Sequence, residues 1–427
     1  MREMKDSGIK WIGVIPSAWR TARVKNVAET MQSGGTPDSS NDTFYVDIEG
    51  GIPWVAITDM STTPYVKDTN KHISEEGRKS KNLIVFEPGT ILYAMYASVG
   101  KVSELAVPAT INQALLAIVL NSSIDGSFFK YALNAWEPYI ISESNGTTQF
   151  NLNANKVANL CFPMPNRLEQ ESIVRYLDTK CAQVDTLIAN VQFQIEKLKA
   201  YKQSMITEVV TKGLDPTVPM KDSGVEWIGE IPKHWSVIPS KFLFANCDER
   251  RREGDVQLTA SQKYGMISQE EYMRRENARI VLADKGLENW KHVEPFDFVI
   301  SLRSFQGGLE MSEVTGCATW HYIILRARQR IHPYYYKWLF KSSMYITTLQ
   351  RTCNYIRDGQ DLRYSNFVKV PLCIPTLYEQ QKIADFLDRK CAKIDHLITL
   401  KQSKIEKLEQ YKRSLIYEYV TGKREVI

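Results

Sequence analysis

Met4–Pro16 reads MKDSGIKWIGVIP and Met220–Pro232 reads MKDSGVEWIGEIP, with ten of thirteen positions identical at a shift of 216 residues. Trp19 and Trp235 keep the same register beyond it. A second pair lies further on, EQESIVRYLDTKCAQVDTLI from Glu169 and EQQKIADFLDRKCAKIDHLI from Glu379, shifted by 210. It continues through Ile195-Glu196-Lys197-Leu198 against Ile405-Glu406-Lys407-Leu408, and Tyr201-Lys202 against Tyr411-Lys412. Likeness sustained at a fixed period marks an internal duplication. The chain is two copies of one unit, each a block of roughly 150 residues followed by a shared segment of roughly 45. Between the shared segments, residues 20–160 and 236–370 show little likeness, so the frame is duplicated while its contents have diverged.

From Leu177 the apolar positions run Leu177, Cys181, Val184, Ile188, Val191, Ile195, Leu198, Lys202, Met205 and Val209, alternating steps of four and three. The second copy runs Leu387, Cys391, Ile394, Ile398, Lys401, Ile405, Leu408, Lys412, Leu415 and Tyr419. That is a heptad seam. Pro163 and Pro165 precede the first copy, Pro371 and Pro375 the second, and Gly213 and Gly422 close them, so each predicts one uninterrupted helix of about 65–70 Å. An exposed apolar seam does not stabilise a lone helix, so the two should pair; the order block, helix, block, helix suits antiparallel pairing, with one block at each end. Lys202 and Lys412 interrupt the seam at matched places. They either set its register or snorkel to water, and snorkelling is the simpler expectation. The expected division is a first block (1–165), a first long helix (166–213), a second block (214–375), and a second long helix with a C-terminal tail (376–427).

The 427 residues carry 54 Lys+Arg against 49 Asp+Glu, with 43% hydrophobic residues and a mean hydropathy of −0.31. This excludes a polycation, and the lack of an apolar run of about 20 residues argues against a membrane span. Met1–Asp6 leads into no apolar stretch, so no signal peptide is expected and the cytoplasm is the expected location. Seven scattered cysteines, never in a Cys-x-x-Cys pair, suit packed thiols. The charge is uneven: residues 20–165 hold 11 basic and 14 acidic side chains, residues 241–373 hold 20 and 15, and residues 374–427 hold 11 and 8. Clusters such as Arg250-Arg251-Arg252, Arg274-Arg275 and Arg326/Arg328/Arg330 could track a phosphate backbone, although a solvated surface is the plainer reading.

Neither block shows long helical periodicity. Short runs such as Ile52–Ile57, Gly89–Ala94, Leu115–Leu120, Phe298–Ile300 and His321–Leu325 lie between turn residues and predict a mixed α/β globule in each block. Late in each block come an aromatic helix candidate, Phe128–Trp136 or Tyr334–Phe340, and then a polar stretch, NGTTQFNLN from Asn145 or RDGQDLRYSN from Arg357. Amide, hydroxyl and guanidinium side chains on such a stretch suit base edges. Catalytic patterns are missing: there is no Gly-x-x-x-x-Gly-Lys-[Ser/Thr], Gly-x-Gly-x-x-Gly after a strand, His-Glu-x-x-His, or Asp-Pro-Pro-Tyr. The six histidines are dispersed, so no metal site is expected.

Taken together, Ser7-Gly8…Trp11-Ile12-Gly13…Ile15-Pro16, its copy Ser223-Gly224…Trp227-Ile228-Gly229…Ile231-Pro232, and Glu169-Gln170 and Glu379-Gln380 at the helix entrances resemble the specificity subunit of type I restriction-modification enzymes. The likeness covers essentially the whole chain. It implies an α/β (α+β) fold with a pseudo-twofold internal repeat: two target recognition domains joined by two long antiparallel coiled-coil helices. It also implies a non-catalytic subunit that reads a bipartite, asymmetric site on double-stranded DNA and docks two methyltransferase subunits and, in the full enzyme, restriction-translocation subunits. No cofactor is expected on this chain; S-adenosylmethionine, ATP and Mg are implied for the partners. The alternatives are a coiled-coil protein-interaction scaffold without sequence-specific DNA binding, and an enzyme with an unrecognised site.

For direct readout, the candidates in the second block are Arg303 and Gln306, which follow a strand-like run in SLRSFQGG, then Lys263, Tyr264, Gln360 and Arg363. In the first block they are Thr58, Tyr96, Ser98, Lys101, Thr147, Gln149 and Asn151. Arginine to guanine and glutamine to adenine are the expected pairings.

Overall fold

The computed structural model describes residues 2–47, 50–60, 64–96, 99–143, 152–279, 285–301, 304, 308–352 and 362–426, without the side chains of 138 and 140–143. Two long helices occupy Arg167–Lys212 and Leu377–Val420. Both end where a left-handed residue is needed, at Gly213 (φ 78°) and Gly422 (φ 70°), a conformation that costs glycine little. Contacts divide the chain into two compact units, Met1–Val191 with Ser403–Ile427, and Gln192–Gln402. Each unit therefore holds one block and part of both helices.

The heptad seam is buried as its spacing predicts. In the first unit Leu177 and Cys181 share a core with Leu415, Ile416, Tyr419 and Val420. In the second, Met205, Ile206, Val209 and Val210 share one with Leu387, Cys391 and Ile394. The pairing is antiparallel within each unit. Lys412 Nζ donates to both carboxylate oxygens of Asp185 at 2.7 Å, and Lys202 Nζ donates to Asp395 at 2.6 and 2.7 Å. These bonds correct the snorkelling expectation, because each lysine holds a carboxylate on the opposite helix. Half-exposed ion pairs contribute at most about 1 kcal/mol each, but sliding the pairing by a heptad would break both, so their effect is on register.

The duplicated motifs meet at the joint between block and helix. Trp19 Nε1 donates to Glu169 at 3.0 Å, and Trp235 Nε1 donates to Glu379 at 3.0 Å. Beside them Gln170 donates to the Pro165 carbonyl (2.9 Å) and accepts from the Asp125 N–H (2.8 Å). Gln380 repeats both bonds, with Pro375 and His332, at the same distances. Both glutamines are almost wholly buried, so these bonds answer polar groups that would otherwise be orphaned. At Glu379, burial would raise the carboxyl pKa, but hydrogen bonds from Trp235, Thr376 and His234 together bring it below its ordinary value. A depressed carboxyl stabilises the fold above its unfolded pKa, and that contribution is lost as pH falls through the folded one. Thermal unfolding of the Glu379→Gln variant should therefore show a shallower loss of stability below about pH 4.3 than the parent chain.

Each block is built on the same antiparallel sheet. In the first, the strands Ala28–Ser33, Leu115–Leu120, Ile91–Ala94 and Val102–Leu105 lie in that spatial order. In the second, Phe244–Cys247, Ile323–Ala327, Phe298–Ile300 and Glu310–Met311 repeat the order and every antiparallel pairing. The central strands are covered on both faces. Ile91, Tyr93, Leu116 and Ile118 enter one core, while Leu92, Ala94, Leu115 and Ala117 enter another, as the two-residue side-chain alternation of a strand requires. What flanks the sheet differs. The first block adds Tyr65–Val66 in parallel and a separate four-stranded sheet; the second adds the hairpin Leu258–Ser261 with Gly265–Ser268, and the pair Lys291–Val293 with Gly316–Ala318. The aromatic helices form as predicted, over Gly126–Glu143 and Pro333–Phe340. The six described cysteines are free thiols.

Candidate DNA interface

Ser98, Thr147, Gln149, Asn151, Arg303, Gln306 and Gln360 lie outside the described residues. The other candidates can be placed. In the first block, Tyr96 and Lys101 flank the connection between the strands Ile91–Ala94 and Val102–Leu105, which the Ala94 N–H closes by donating to the Lys101 carbonyl at 2.9 Å. Next to Tyr96, the Met95 carbonyl accepts from the Leu152 N–H at 3.2 Å. The chain leaving the polar stretch 145–151 is thereby held beside the turn that carries Tyr96 and Lys101. Thr58 is exposed on another element, the short 3-10 helix Ile57–Met60, beyond the strand Tyr65–Val66 that extends the sheet.

In the second block, Lys263 and Tyr264 form the tip of the hairpin between Leu258–Ser261 and Gly265–Ser268. Both donate to Glu276 Oε1 at the end of the helix Gln269–Glu276, Lys263 from 2.9 Å and Tyr264 from 2.8 Å. Hydrogen bonding to Tyr264 and Glu276 raises the Lys263 pKa, so the group stays cationic. Arg275 lies over the Tyr264 ring, 4.9 Å from its centroid, and stiffens this corner. Lys263, Tyr272, Glu276, Ser301 and Glu310 line a cleft of about 250 Å³. Ser301, the first residue of SLRSFQGG, and Glu310, which begins the next strand, both line this cleft. Burial raises the Glu310 pKa, and the Lys341 ammonium bonded to it opposes that shift.

Arg363 precedes the short helix Tyr364–Phe367, its N–H donating to Asn366 Oδ1 at 3.0 Å. Asn153, ahead of the helix Ala154–Ala158, is its counterpart at a shift of 210, and Leu152 and Leu362 beside them are both buried. The described residues that follow the polar stretches, Leu152-Asn153 and Leu362-Arg363, thus lead into equivalent short helices in both blocks.

The arginine clusters need correction. Arg252 pairs with Glu249 and Glu294, Arg274 and Arg275 both pair with Glu271, and Arg326 makes two bonds to Asp297. Their charge is largely spent within the block. Among the described residues Arg250, Arg251, Arg328 and Arg330 are exposed and make no ion pair, Arg250 donating to the Asn289 carbonyl at 2.9 Å, so these carry the outward positive charge of the clusters. Glu276, which organises the Lys263 corner, and Glu310 were not singled out from the sequence. A carboxylate twelve or thirteen positions from its partners has no local signature.

A duplicated frame bearing two copies of one sheet scaffold, each with a variable flank, defines a two-module recognition subunit. Residues 16–197 match the family model of the type I restriction modification DNA specificity domain. A protein of Methanocaldococcus jannaschii, provisionally described as the type I restriction enzyme MjaX specificity subunit, is 22% identical, over 97% of this chain and 96% of its own. The type I restriction enzyme MjaIX specificity subunit of the same organism is 26% identical over 68% of this chain and 63% of its own. A chain from a structural study of type I restriction-modification complex assembly superposes with a TM-score of 0.67, covering 97% of this chain and 99% of that one at 15% identity, and shares the fold. Over residues 16–197 by the family model, and along most of its length by these relatives, the chain is similar to the specificity subunits of type I restriction-modification enzymes. Among the described residues no helix is long and apolar enough to cross a membrane.

Proposed function

We propose that this chain recognises a bipartite, asymmetric DNA site, one half with each block, on behalf of a type I restriction-modification complex. Its likeness to type I specificity subunits, including the DNA specificity domain matched over residues 16–197, supports a DNA sequence-recognition role. The observation that supports the division of labour is the repeated sheet. The connections Ala94 to Val102 and Ile300 to Glu310 join the same two strands of that sheet, and the polar stretches precede the same short helix. On this reading one scaffold presents different side chains at equivalent places, so the half-sites differ.

Partner docking is read from the helices. Leu187 and Tyr411 in the first unit are 48% and 52% exposed, and Leu397 and Tyr201 in the second are 45% and 60% exposed. The four are related by the shift of 210. Exposed apolar side chains repeated at matched positions suit two copies of one partner, the methyltransferase subunit, with restriction-translocation subunits joining in the full enzyme. The chain itself contributes no catalytic group and no cofactor; S-adenosylmethionine, ATP and Mg serve the partners, and the complex works in the cytoplasm.

Selection from randomised duplexes should yield a split motif, and affinity for it should rise at least tenfold when the methyltransferase is added, because this chain's near-neutral charge makes little phosphate contact alone. Selection that returns no motif favours the scaffold reading, and equal affinity with and without the methyltransferase contradicts the proposal.

A further inference from the structure

The second block carries a cluster of potential metal ligands separate from the candidate readout residues. Glu249 follows the strand Phe244–Cys247, while His292 and Glu294 lie at and just past the strand Lys291–Val293. The His292 N–H donates to the Glu249 carbonyl at 2.8 Å, which fixes the two segments side by side. One ligand-capable atom from each of Glu249, His292 and Glu294 lies within 4.8 Å of the others. The His292 side chain is wholly buried. Its Nδ1 pairs with Asp255 Oδ2 at 2.8 Å, and the Asp255 side chain is only 4% exposed. A carboxylate on Nδ1 fixes that nitrogen as the protonated one and leaves a lone pair on Nε2. Nε2 is buried without a hydrogen-bond partner, and the closest Glu294 oxygen is 3.5 Å away. Tetrahedral coordination with bonds of about 2.1 Å places ligand atoms roughly 3.4 Å apart, close to that spacing.

Charge points the same way. Glu249, Asp255, Glu294 and Asp297 are four carboxylates in one network, and the guanidiniums paired within it are those of Arg252 and Arg326. Two negative charges are left over, which is what a divalent cation supplies. Arg326 is committed to Asp297 through two bonds, at 2.9 and 2.7 Å, and stands 3.5 Å from Glu249 and from Glu294. Arg252, half exposed, holds Glu249 at 2.5 Å and Glu294 at 3.2 Å and can swing out to solvent.

We propose that Glu249, His292 and Glu294 form a binding site for a zinc-class divalent transition metal, oriented by Asp255 and competed for by Arg252. One imidazole with two carboxylates suits a borderline cation, with water completing the shell. The ion would clamp Glu249 to the strand Lys291–Val293 and is structural, since it joins no reacting group.

The test uses the full-length chain, stripped with chelator and titrated with Zn²⁺ against a competing indicator, with thermal unfolding in parallel. The parent chain should bind one ion at this site and unfold at higher temperature with it. Asp255→Asn should weaken binding about 10–100-fold, the usual effect of losing such an orienting partner. Glu294→Gln should weaken it at least tenfold, and His292→Ala should abolish it. Arg252→Ala should tighten it, because the competing cation is gone; a purely structural ion-pair network predicts no such gain. Circular dichroism checks the His292 variant, while the Glu294 and Arg252 side chains are exposed enough to be replaced without breaking the core. A parent chain that binds no Zn²⁺, an Arg252→Ala variant that binds no tighter, or wild-type affinity in both His292→Ala and Glu294→Gln overturns the assignment.

Discussion

Replacing Trp235 with alanine should destabilise the second unit by about 3–5 kcal/mol, the usual cost of deleting a buried tryptophan. The residue is 1% exposed and lies in one core with Met205, Ile206, Val209, Val210 and Ile231, joining the end of the first long helix to the duplicated motif. Its indole donates to Glu379 at the start of the other helix, so truncation also leaves that carboxylate short of a donor. Trp320, 54% exposed, is the control and should cost no more than about 0.5 kcal/mol. Urea unfolding of the full chain, followed by far-ultraviolet circular dichroism, measures both. Equal shifts for the two variants would mean that the motif is not the joint we describe.

Replacing Arg303 with alanine should lower discrimination at one base pair of one half-site by about 10–100-fold, the 1–3 kcal/mol of a good bidentate contact, and leave the other half-site untouched. Lys263→Ala is the counterpart. Lys263 is exposed at the hairpin tip and would exchange Glu276 for phosphate, so its loss should weaken all sequences alike and reduce the salt dependence by no more than about one counterion. Binding of the complex to duplexes substituted one base pair at a time, at two salt concentrations, separates these outcomes. A uniform loss for Arg303→Ala would reassign that residue to the backbone.

The frame was legible because it is made of local signals. The heptad from Leu177 to Val209 records burial every three or four residues, and the prolines and glycines at its ends act through their own backbone, so the helices fall within a residue of their expected bounds. The common sheet was not legible. Leu115–Leu120 and Ile323–Ala327 occupy the same place with little likeness, because a strand covered on both faces asks only for apolar residues of suitable volume. Contacts over long separation were hidden too. Trp19 and Glu169 could each be recognised as part of a repeat, but 150 residues of chain carry no sign that they touch. For Lys202 and Lys412, reading one helix at a time favoured solvent; their carboxylates sit on the other helix, visible only once the antiparallel register is known. The dispersed histidines likewise concealed His292, whose neighbours Glu249 and Asp255 arrive from another segment.

Within the interface, Tyr96 and Lys101 are legible only by residue type, and the proximity of Leu152 to Met95, beside Tyr96, rests on a backbone bond across a long separation. Thr58 stands on a separate element, outside the sheet that the two blocks share. The shared sheet explains how a common scaffold can be kept while specificity changes, since variation in its connections and flanks leaves the cores and the helix joint intact.

The most direct test of two independent readers on one frame is a map of methylated adenines in DNA from cells expressing this chain with its methyltransferase partner. It should be compared with the same map for a chimera whose residues 236–370 come from another specificity subunit. The account predicts a split motif for the parent chain, and a chimera motif that keeps one half and replaces the other. An unsplit motif, or a chimera in which both halves change, would contradict it.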